Sequence, residues 1–247
     1  MKFKEWVHPV SNKKITIING DCMDALRNMD ENEYDLLIAD PPYGIGADKM
    51  AMGQNMKRKG PGQYPGESTS KRLQKNRLNQ GSGKLKQSLL VNSDCSWDVK
   101  PPPEYFNLIF KKTKNQIIWG GNYFDLPPTR GIIAWDKLQA WDNFSQFELA
   151  WTSFDVPARL YRISNTGGNN NEIKIHPTQK PALLYKKTLR DYANSGDRIL
   201  DTHFGSGSNA LACWDMGFDL TAYEIDETYY KDSINRAERY FKQMPMF

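Results

Sequence analysis

Short apolar segments that alternate with helical patterns are the feature that most constrains the fold of this 247-residue chain. Seven segments are rich in β-branched and other apolar residues and are bounded by turn residues, as buried strands are. They cover residues 14–20, 34–40, 115–121, 131–137, 147–153, 197–203 and 219–225. Several are apolar almost throughout, which is typical of strands covered on both faces. The alternation predicts an α/β fold with a doubly wound, mainly parallel sheet of seven strands.

Residues 45–95 do not fit this alternation, because they are rich in Gly, Lys, Asn, Gln and Ser and have no clear period. Between Lys49 and Lys86 the chain has ten Lys and Arg residues and one acid, Glu67. This segment therefore carries a formal charge of +9, which leaves −5 for the rest of a chain whose net charge is +4. A basic segment on an otherwise acidic protein indicates a polyanionic partner.

Cysteine and histidine usage argues against a disulfide framework and against a metal site. The three cysteines (Cys22, Cys95 and Cys213) are scattered, and there are only three histidines. No run approaches the 18 apolar residues or so of a membrane-spanning helix. We therefore expect a soluble protein of a reducing compartment, with no metal and no membrane partner.

A glycine-rich turn near the C-terminus predicts a nucleoside-binding site. The strand at 197–203 leads from Asp201 into Gly205-Ser206-Gly207 and a helical pattern, and the next strand ends at Glu224. Such a turn lets the backbone approach a ligand closely, and a carboxylate on the neighbouring strand can accept two ribose hydroxyl hydrogen bonds. The glycines alone also fit NAD or a tight turn without a ligand. S-adenosylmethionine is favoured because Asp201 suits a cationic methionine end and Ala210 occupies the third glycine position.

The stretch LIADPPYGIG ends a buried strand with Asp40, Pro41, Pro42 and Tyr43. Two prolines alone would make a stiff turn, since proline donates no amide hydrogen bond. The flanking residues suggest more. The Asp40 carboxylate and the Pro41 carbonyl form a pair of acceptors suited to an amino group, and Tyr43 offers a flat face to an aromatic ring. A planar base with an exocyclic amine, such as adenine or cytosine, fits this set.

Taken together, the motifs resemble those of amino-group DNA methyltransferases of the N6-adenine type, in the permuted beta-class arrangement. The matching blocks are DPPY at 40–43, DTHFGSGS at 201–208, HPTQKP at 176–181 and INGDCMDAL at 18–26. The catalytic block precedes the cofactor block, as in that class. The resemblance implies a Rossmann-like methyltransferase fold with circularly permuted motif order, and one catalytic domain over residues 1–247.

The resemblance also implies a set of site residues and S-adenosyl-L-methionine as the cofactor. The catalytic residues would be Asp40, Pro41, Pro42 and Tyr43. The cofactor-binding residues would be Asp21, Lys180, Asp201, His203, Phe204, Gly205, Ser206, Gly207 and Glu224. Asp21 would contact the adenine amine of the cofactor, and Lys180 would lie near the carboxylate of the cofactor. The chain departs from the family pattern at Thr202, where Pro is usual, and at His203, where Phe is usual.

The region that usually recognises DNA in this family is short here. Only about 22 residues (154–175) separate the predicted strand at 147–153 from HPTQKP. We therefore expect the basic insertion at 45–95 to contact DNA instead. The expected phosphate-binding residues are Lys57, Arg58, Lys59, Lys71, Arg72, Lys75 and Arg77. The alternative is that this insertion is a solvated, flexible loop.

These expectations describe a site-specific enzyme that methylates the N6 amine of a flipped adenine in double-stranded DNA. One alternative is methylation of cytosine N4, although the family mostly uses Ser in place of Asp40 for that base. Others are methylation of a protein glutamine and a DNA-binding protein without catalysis; the intact motifs speak against loss of catalysis. The resemblance leaves open a homodimer and a cognate restriction endonuclease. The expected location is the cytoplasm of a prokaryotic cell or of a phage-infected host.

Overall fold

The computed structural model describes residues 2–45, 98–138, 145–165, 174–176 and 178–243. In this part of the chain, nine strands form one sheet and five α-helices flank it. The strands are β1 (Lys2–Val7), β2 (Lys14–Asn19), β3 (Tyr34–Ala39), β4 (Thr113–Trp119), β5 (Ile132–Asp136), β6 (Phe147–Thr152), β7 (Arg159–Arg162), β8 (Arg198–Asp201) and β9 (Asp219–Glu224). The helices are α1 (Cys22–Asn28), α2 (Pro103–Lys112), α3 (Ala182–Tyr192), α4 (Ser208–Met216) and α5 (Glu227–Lys242). None of these helices is long and apolar enough to cross a membrane.

The strand order across the sheet is β1-β2-β9-β8-β3-β4-β6-β5-β7. Five neighbouring pairs are parallel: β2 with β9, β9 with β8, β8 with β3, β3 with β4, and β5 with β7. The other three pairs, β1 with β2, β4 with β6 and β6 with β5, are antiparallel. The predicted α/β, mainly parallel, doubly wound sheet is therefore confirmed.

All seven predicted strands are present, but the predicted number of strands is wrong, because the described residues hold two more. Both extra strands, β1 and β7, lie at the edges of the sheet. Their sequences, KFKEWV and RLYR, are rich in charge, and most of their residues are exposed. Charged, short edge strands are a common protection against edge-to-edge association. They lack the apolar signal of a strand covered on both faces.

Two apolar cores cover the two faces of the sheet. On β3, Leu36 and Ile38 point to one core and Leu37 and Ala39 to the other, as the period of two requires. The first core also takes buried residues from α3, α4 and α5, and the second takes them from α1 and α2. The central strands are thus covered on both sides, which explains their continuous apolar sequences.

The direction of winding reverses between β3 and β8. The chain passes from β3 through α2 to β4 on one side, and from β8 through α4 to β9 on the other. Leu37 pairs with Leu200 in parallel register, so the two strands end side by side. In open α/β sheets, ligands bind at such a switch point, outside the carboxyl ends of the strands. Asp40 and Asp201 stand at these two strand ends.

Candidate active site

Residues 40–43 leave the sheet at the carboxyl end of β3. Residues 37–39 are fully buried, so the strand fixes where the turn begins. The Tyr43 hydroxyl donates a hydrogen bond of 2.7 Å to Asp40 Oδ1. Burial, and after it the charge of Asp40, raises the pKa of the Tyr43 phenol well above its usual value. The phenol therefore keeps its proton and remains a donor to the carboxylate.

The ring of Tyr43 is held between an aromatic neighbour and a glycine. It stacks on Tyr123, with 4.8 Å between the ring centroids and 18° between the planes. Tyr123 lies in the short 3₁₀ turn Gly121–Tyr123, which follows Gly120. Gly120 has a positive φ of +68°, and a Cβ placed there would lie 2.1 Å from Tyr43 Cε1. The close approach of backbone and ring therefore requires glycine at this position.

Lys180 reaches the same carboxylate from the segment before α3. Its Nζ lies 2.6 Å from Asp40 Oδ2 and 3.3 Å from the Tyr43 hydroxyl oxygen. The ammonium also lies 5.6 Å from the ring centroid of Trp119, within cation–π distance. The side chain of Lys180 is only 3% exposed. Burial lowers its pKa, but the carboxylates of Asp40 and Glu148 outweigh burial and raise it overall, so the amine is charged.

Glu148, on β6, is the second acid beside Lys180. Its Oε2 lies 3.1 Å from Lys180 Nζ, and its Oε1 is paired with the ammonium of Lys137. Burial raises the pKa of Glu148, but the two lysines outweigh burial and lower it to about 2. Glu148 is therefore an anion at neutral pH and holds two cations next to the DPPY turn.

The glycine turn connects β8 to α4. Gly205 and Gly207 have positive φ values of +52° and +80°, which favour glycine. Both oxygens of Asp201 face the turn: Oδ1 accepts from the His203 amide at 3.1 Å, and Oδ2 accepts from Asn209 Nδ2 at 3.0 Å. Asp201 therefore organises the backbone of the turn that follows it.

The Glu224 carboxylate, at the end of β9, lies against the same turn. Its Oε2 accepts from the Gly205 amide at 2.7 Å, and its Oε1 accepts from the Asp226 amide at 2.9 Å. Burial is the main cause that raises the pKa of Glu224, and likewise that of Asp201, to about 7 in each case. Backbone and side-chain hydrogen bonds offset only part of this effect. The site therefore holds two acids whose charge is poorly stabilised without a ligand.

These raised pKa values predict how stability depends on pH. Between the unfolded pKa, near 4, and about 7, the folded state binds more protons than the unfolded state, so the free energy of unfolding falls as pH rises through that window. His176 and His203 have lowered pKa values of about 3 and 4, so the unfolded state binds more protons at these two residues until about one unit above their unfolded pKa, and they oppose part of this trend. We expect the ligand-free protein to be about 0.5–1 kcal/mol less stable at pH 8 than at pH 6.5, because the loss at the two acids exceeds the gain at the two histidines.

Urea unfolding at the two pH values measures this difference. A ligand that binds the ionised carboxylates should reduce the difference in stability between the two pH values. Greater stability at pH 8 than at pH 6.5 in the ligand-free protein would contradict the assignment of the raised pKa values.

The DPPY turn and the glycine turn are joined through Lys180. Its ammonium binds Asp40, and its main-chain carbonyl accepts a 2.6 Å hydrogen bond from the Ser208 hydroxyl at the start of α4. Arg236 on α5 donates to the same Ser208 oxygen at 3.0 Å and to the Ser206 carbonyl at 2.8 Å. Residues 40–43, 180 and 201–208 therefore lie together at one edge of the sheet.

Two further predicted cofactor residues, Asp21 and Phe204, differ in where the structure places them. Asp21 follows β2 and caps α1, since its Oδ1 accepts from the Met23 amide at 2.8 Å. The adjacent Gly20 amide donates to the Glu224 carbonyl at 3.0 Å, so Asp21 lies at the same edge of the sheet as the glycine turn. Phe204, by contrast, is 4% exposed and packs in the core.

His203 is part of a hydrogen-bonded row that the family pattern does not predict. The Tyr105 and Thr202 hydroxyl oxygens are 2.6 Å apart, and Thr202 Oγ1 lies 3.0 Å from His203 Nδ1. The rings of Tyr105 and His203 also meet edge to face, with centroids 5.3 Å apart. The two departures from the family pattern, Thr202 and His203, are thus bonded to each other.

The predicted phosphate-binding residues of the insertion, from Lys57 to Arg77, lie outside the described residues, so their role stays a prediction. The predicted contact of Lys180 with a cofactor carboxylate also stays a prediction. In the structure the ammonium binds Asp40 and Glu148 instead.

Sequence reasoning missed three residues of the site. Glu148 occupies an ordinary strand position, Tyr123 lies in a turn, and Tyr105 reads as a core residue of α2. The one available signal was the acid of FELAWT, a single charge within a largely apolar strand. Nothing in the sequence shows that this acid meets Lys180, which is 32 positions away.

Comparison with known proteins agrees with this geometry. Residues 86–235, more than half of the chain, match the family described as DNA methylase (N6_N4_Mtase). The chain is 25% identical over 260 residues to the Type II methyltransferase M.HpaI of Haemophilus parainfluenzae, which covers 91% of this chain and 74% of that relative.

The likeness extends to a solved structure. The PvuII DNA methyltransferase (cytosine-N4-specific) superposes with a TM-score of 0.54 at 14% identity, over 93% of this chain and 92% of that one, which is a likeness of fold. The M1.HpyAVI–SAM complex is a more distant match, with a TM-score of 0.46 at 17% identity, over 90% and 98% of the two chains. The fold is that of a DNA methyltransferase, and the family match shows that this chain belongs to the N6/N4 amino-group DNA methylases.

Proposed function

We propose that this protein is a site-specific DNA adenine-N6 methyltransferase that uses S-adenosyl-L-methionine. The observation that carries the proposal is the position of the Asp40 carboxylate. It stands at the switch point of the sheet, beside the glycine turn. Lys180 links the two, because its ammonium binds Asp40 and its carbonyl accepts from Ser208 after the turn. A negative acceptor at this place suits an amine that becomes positively charged during the reaction.

The residues at the glycine turn fit the cofactor. S-Adenosyl-L-methionine supplies a methyl group activated by a sulfonium. Glu224 would accept hydrogen bonds from the ribose hydroxyls, Asp21 would meet the adenine amine, and the main chain at Gly205 and Gly207 would permit close approach. The pKa values of about 7 for Asp201 and Glu224 support this fit, because hydroxyl donors or an ammonium would stabilise the charged forms that burial disfavours.

Asp40 and Pro41 would hold the amine of the target base. The exocyclic amine of adenine is a poor nucleophile, because its lone pair is delocalised into the ring. Hydrogen bonds from its two N–H groups to Asp40 and to the Pro41 carbonyl would favour a tetrahedral nitrogen and stabilise its developing charge. In the structure Asp40 Oδ1 accepts from the Tyr43 hydroxyl, so the base would share that oxygen with the hydroxyl or displace it, while Lys180 can stay on Oδ2.

Tyr43 would stack on the flipped base. Extruding a base from the duplex costs a few kcal/mol, and stacking on an aromatic ring returns about 1–3 kcal/mol. Tyr123 covers one face of Tyr43 in the structure. The base would therefore take the place of Tyr123 on that face.

The family description, DNA methylase, supports DNA as the substrate, and we propose that this DNA is double-stranded. The basic insertion at 45–95 would bind its phosphates, because the region that usually reads DNA is short in this chain. The name of M.HpaI, a Type II methyltransferase, supports a place for this protein beside a restriction endonuclease.

Adenine is proposed over cytosine because the resemblance associates Asp at position 40 with N6-adenine enzymes and Ser with N4-cytosine enzymes. We expect single-molecule sequencing of DNA from cells that express this protein to show N6-methyladenine at one short recognition sequence. The same sequencing of cells expressing Asp40→Ala provides the background. N4-methylcytosine at a defined sequence would overturn the base assignment but keep the amino-group chemistry.

A further inference from the structure

Four charged side chains from different parts of the fold form a row that ends on Asp40. Lys137, next to β5, is paired with Glu148 on β6. Glu148 Oε2 lies 3.1 Å from Lys180 Nζ, which in turn lies 2.6 Å from Asp40 Oδ2. The signs alternate along the row, so its net charge is zero.

This row is largely withdrawn from solvent. The side chains of Lys180, Lys137, Asp40 and Glu148 are 3%, 10%, 17% and 24% exposed. Removing charges from water is costly, and replacing buried ion pairs with apolar side chains is often neutral or stabilising. Stability alone is therefore a weak reason for such a row, whereas holding a reactive carboxylate in one orientation is a specific use for it.

We propose that Lys180 is a positioning residue for Asp40 and that Glu148 positions Lys180. This inference rests on the function proposed above, in which Asp40 accepts the amine of the target base. Lys180 fixes Oδ2 and thereby presents Oδ1, now bonded to the Tyr43 hydroxyl, as the oxygen that the base will use. The same ammonium lies 3.3 Å from the Tyr43 oxygen, so one cation orients both the acceptor and the stacking ring.

The surroundings make Lys180 the central cation of the site. The groups that face the pair of Lys180 and Asp40 are Tyr43, Lys137, Glu148, His176, Tyr185 and Asp201. His176 is neutral at physiological pH, because burial and then Lys180 lower its pKa to about 3. Without Lys180, the carboxylates of Asp40, Glu148 and Asp201 would face one another, and the remaining cations, Lys137 and Lys174, lie on the Glu148 side. As the pH falls, protonation of these carboxylates would then stop the reaction at a higher pH than in the wild type.

Four variants test the proposal: Lys180→Met, Lys180→Arg, Glu148→Gln and, as a matched control, Lys186→Met. Lys186 lies on α3 and pairs with Asp215 outside the site. We expect Lys180→Met to lower kcat about 100-fold. The acidic limb of its kcat–pH profile should move up by about one pH unit or more. Lys180→Arg should restore part of the rate, Glu148→Gln should shift the profile in the same direction, and Lys186→Met should match the wild type.

A kcat–pH profile of Lys180→Met that superposes on the wild type would overturn the proposal. The ¹⁵N NMR signal of the Lys180 ammonium in the ligand-free protein gives a second readout that needs no activity. It should shift in Asp40→Asn and in Glu148→Gln, and an unchanged signal in both would also overturn the proposal. A wild type that transfers no methyl group to DNA contradicts the proposed function instead, and the NMR readout then decides the positioning role by itself.

Discussion

Replacing Asp40 with alanine is expected to lower methyl transfer to DNA by about 1,000-fold or more while cofactor binding persists. The substitution removes the acceptor that would hold the amine and stabilise its charge. It leaves the glycine turn intact, because Asp201 accepts from the His203 amide and Glu224 accepts from the Gly205 amide, and neither hydrogen bond involves Asp40. The measurement is a single-turnover transfer assay, paired with calorimetric titration of S-adenosyl-L-methionine.

Asp35→Ala is the matched control, since Asp35 lies on the same strand at its other end. Its carboxylate binds Lys114 Nζ at 2.6 Å and the Arg198 amide at 2.8 Å, far along β3 from the site. This control should transfer methyl groups at close to the wild-type rate. Substantial transfer by Asp40→Ala, or equal losses in both variants, would remove Asp40 from the mechanism.

Gly120→Ala is expected to lower transfer by about 100-fold, because it displaces the Tyr43 ring. A Cβ at Gly120 would lie 2.1, 2.5 and 2.6 Å from three atoms of that ring, closer than atoms can approach. Tyr43 must then move, and with it the hydrogen bond to Asp40 and the stack on Tyr123. The left-handed backbone adds about 1–2 kcal/mol of strain.

Gly217→Ala separates this strain from the collision. Gly217 has nearly the same φ, +69°, but its Cβ would meet only Ser11, at 3.4 Å. We expect both variants to unfold at lower urea concentrations and only Gly120→Ala to lose transfer. If the two variants transfer at the same rate, the packing of Tyr43 on Gly120 is not needed for the reaction.

The central strands and the location of the site could be predicted from sequence because both depend on local signals. A strand buried on both faces is apolar throughout, and β3 and β8 show this clearly. The DPPY and glycine motifs follow directly after such strands. Parallel strands bring their carboxyl ends to one edge, so the motifs meet.

The edge strands and the charged row could not be predicted in this way. β1 and β7 have one or no covered face, and their charges hide the strand pattern. The contacts of Glu148 depend on β6 lying antiparallel between β4 and β5, which no local pattern specifies. The same antiparallel strand brings Glu148 to Lys180. The contact of Lys180 with Asp40 could therefore not be predicted from the sequence either.

The most direct test of the central claim is a transfer reaction with purified protein, duplex DNA and S-adenosyl-L-methionine carrying a trideuterated methyl group. Digestion of the DNA to nucleosides and mass spectrometry identify the base that receives the label. We expect labelled N6-methyldeoxyadenosine. Label on deoxycytidine alone, or no label in the DNA, would contradict it.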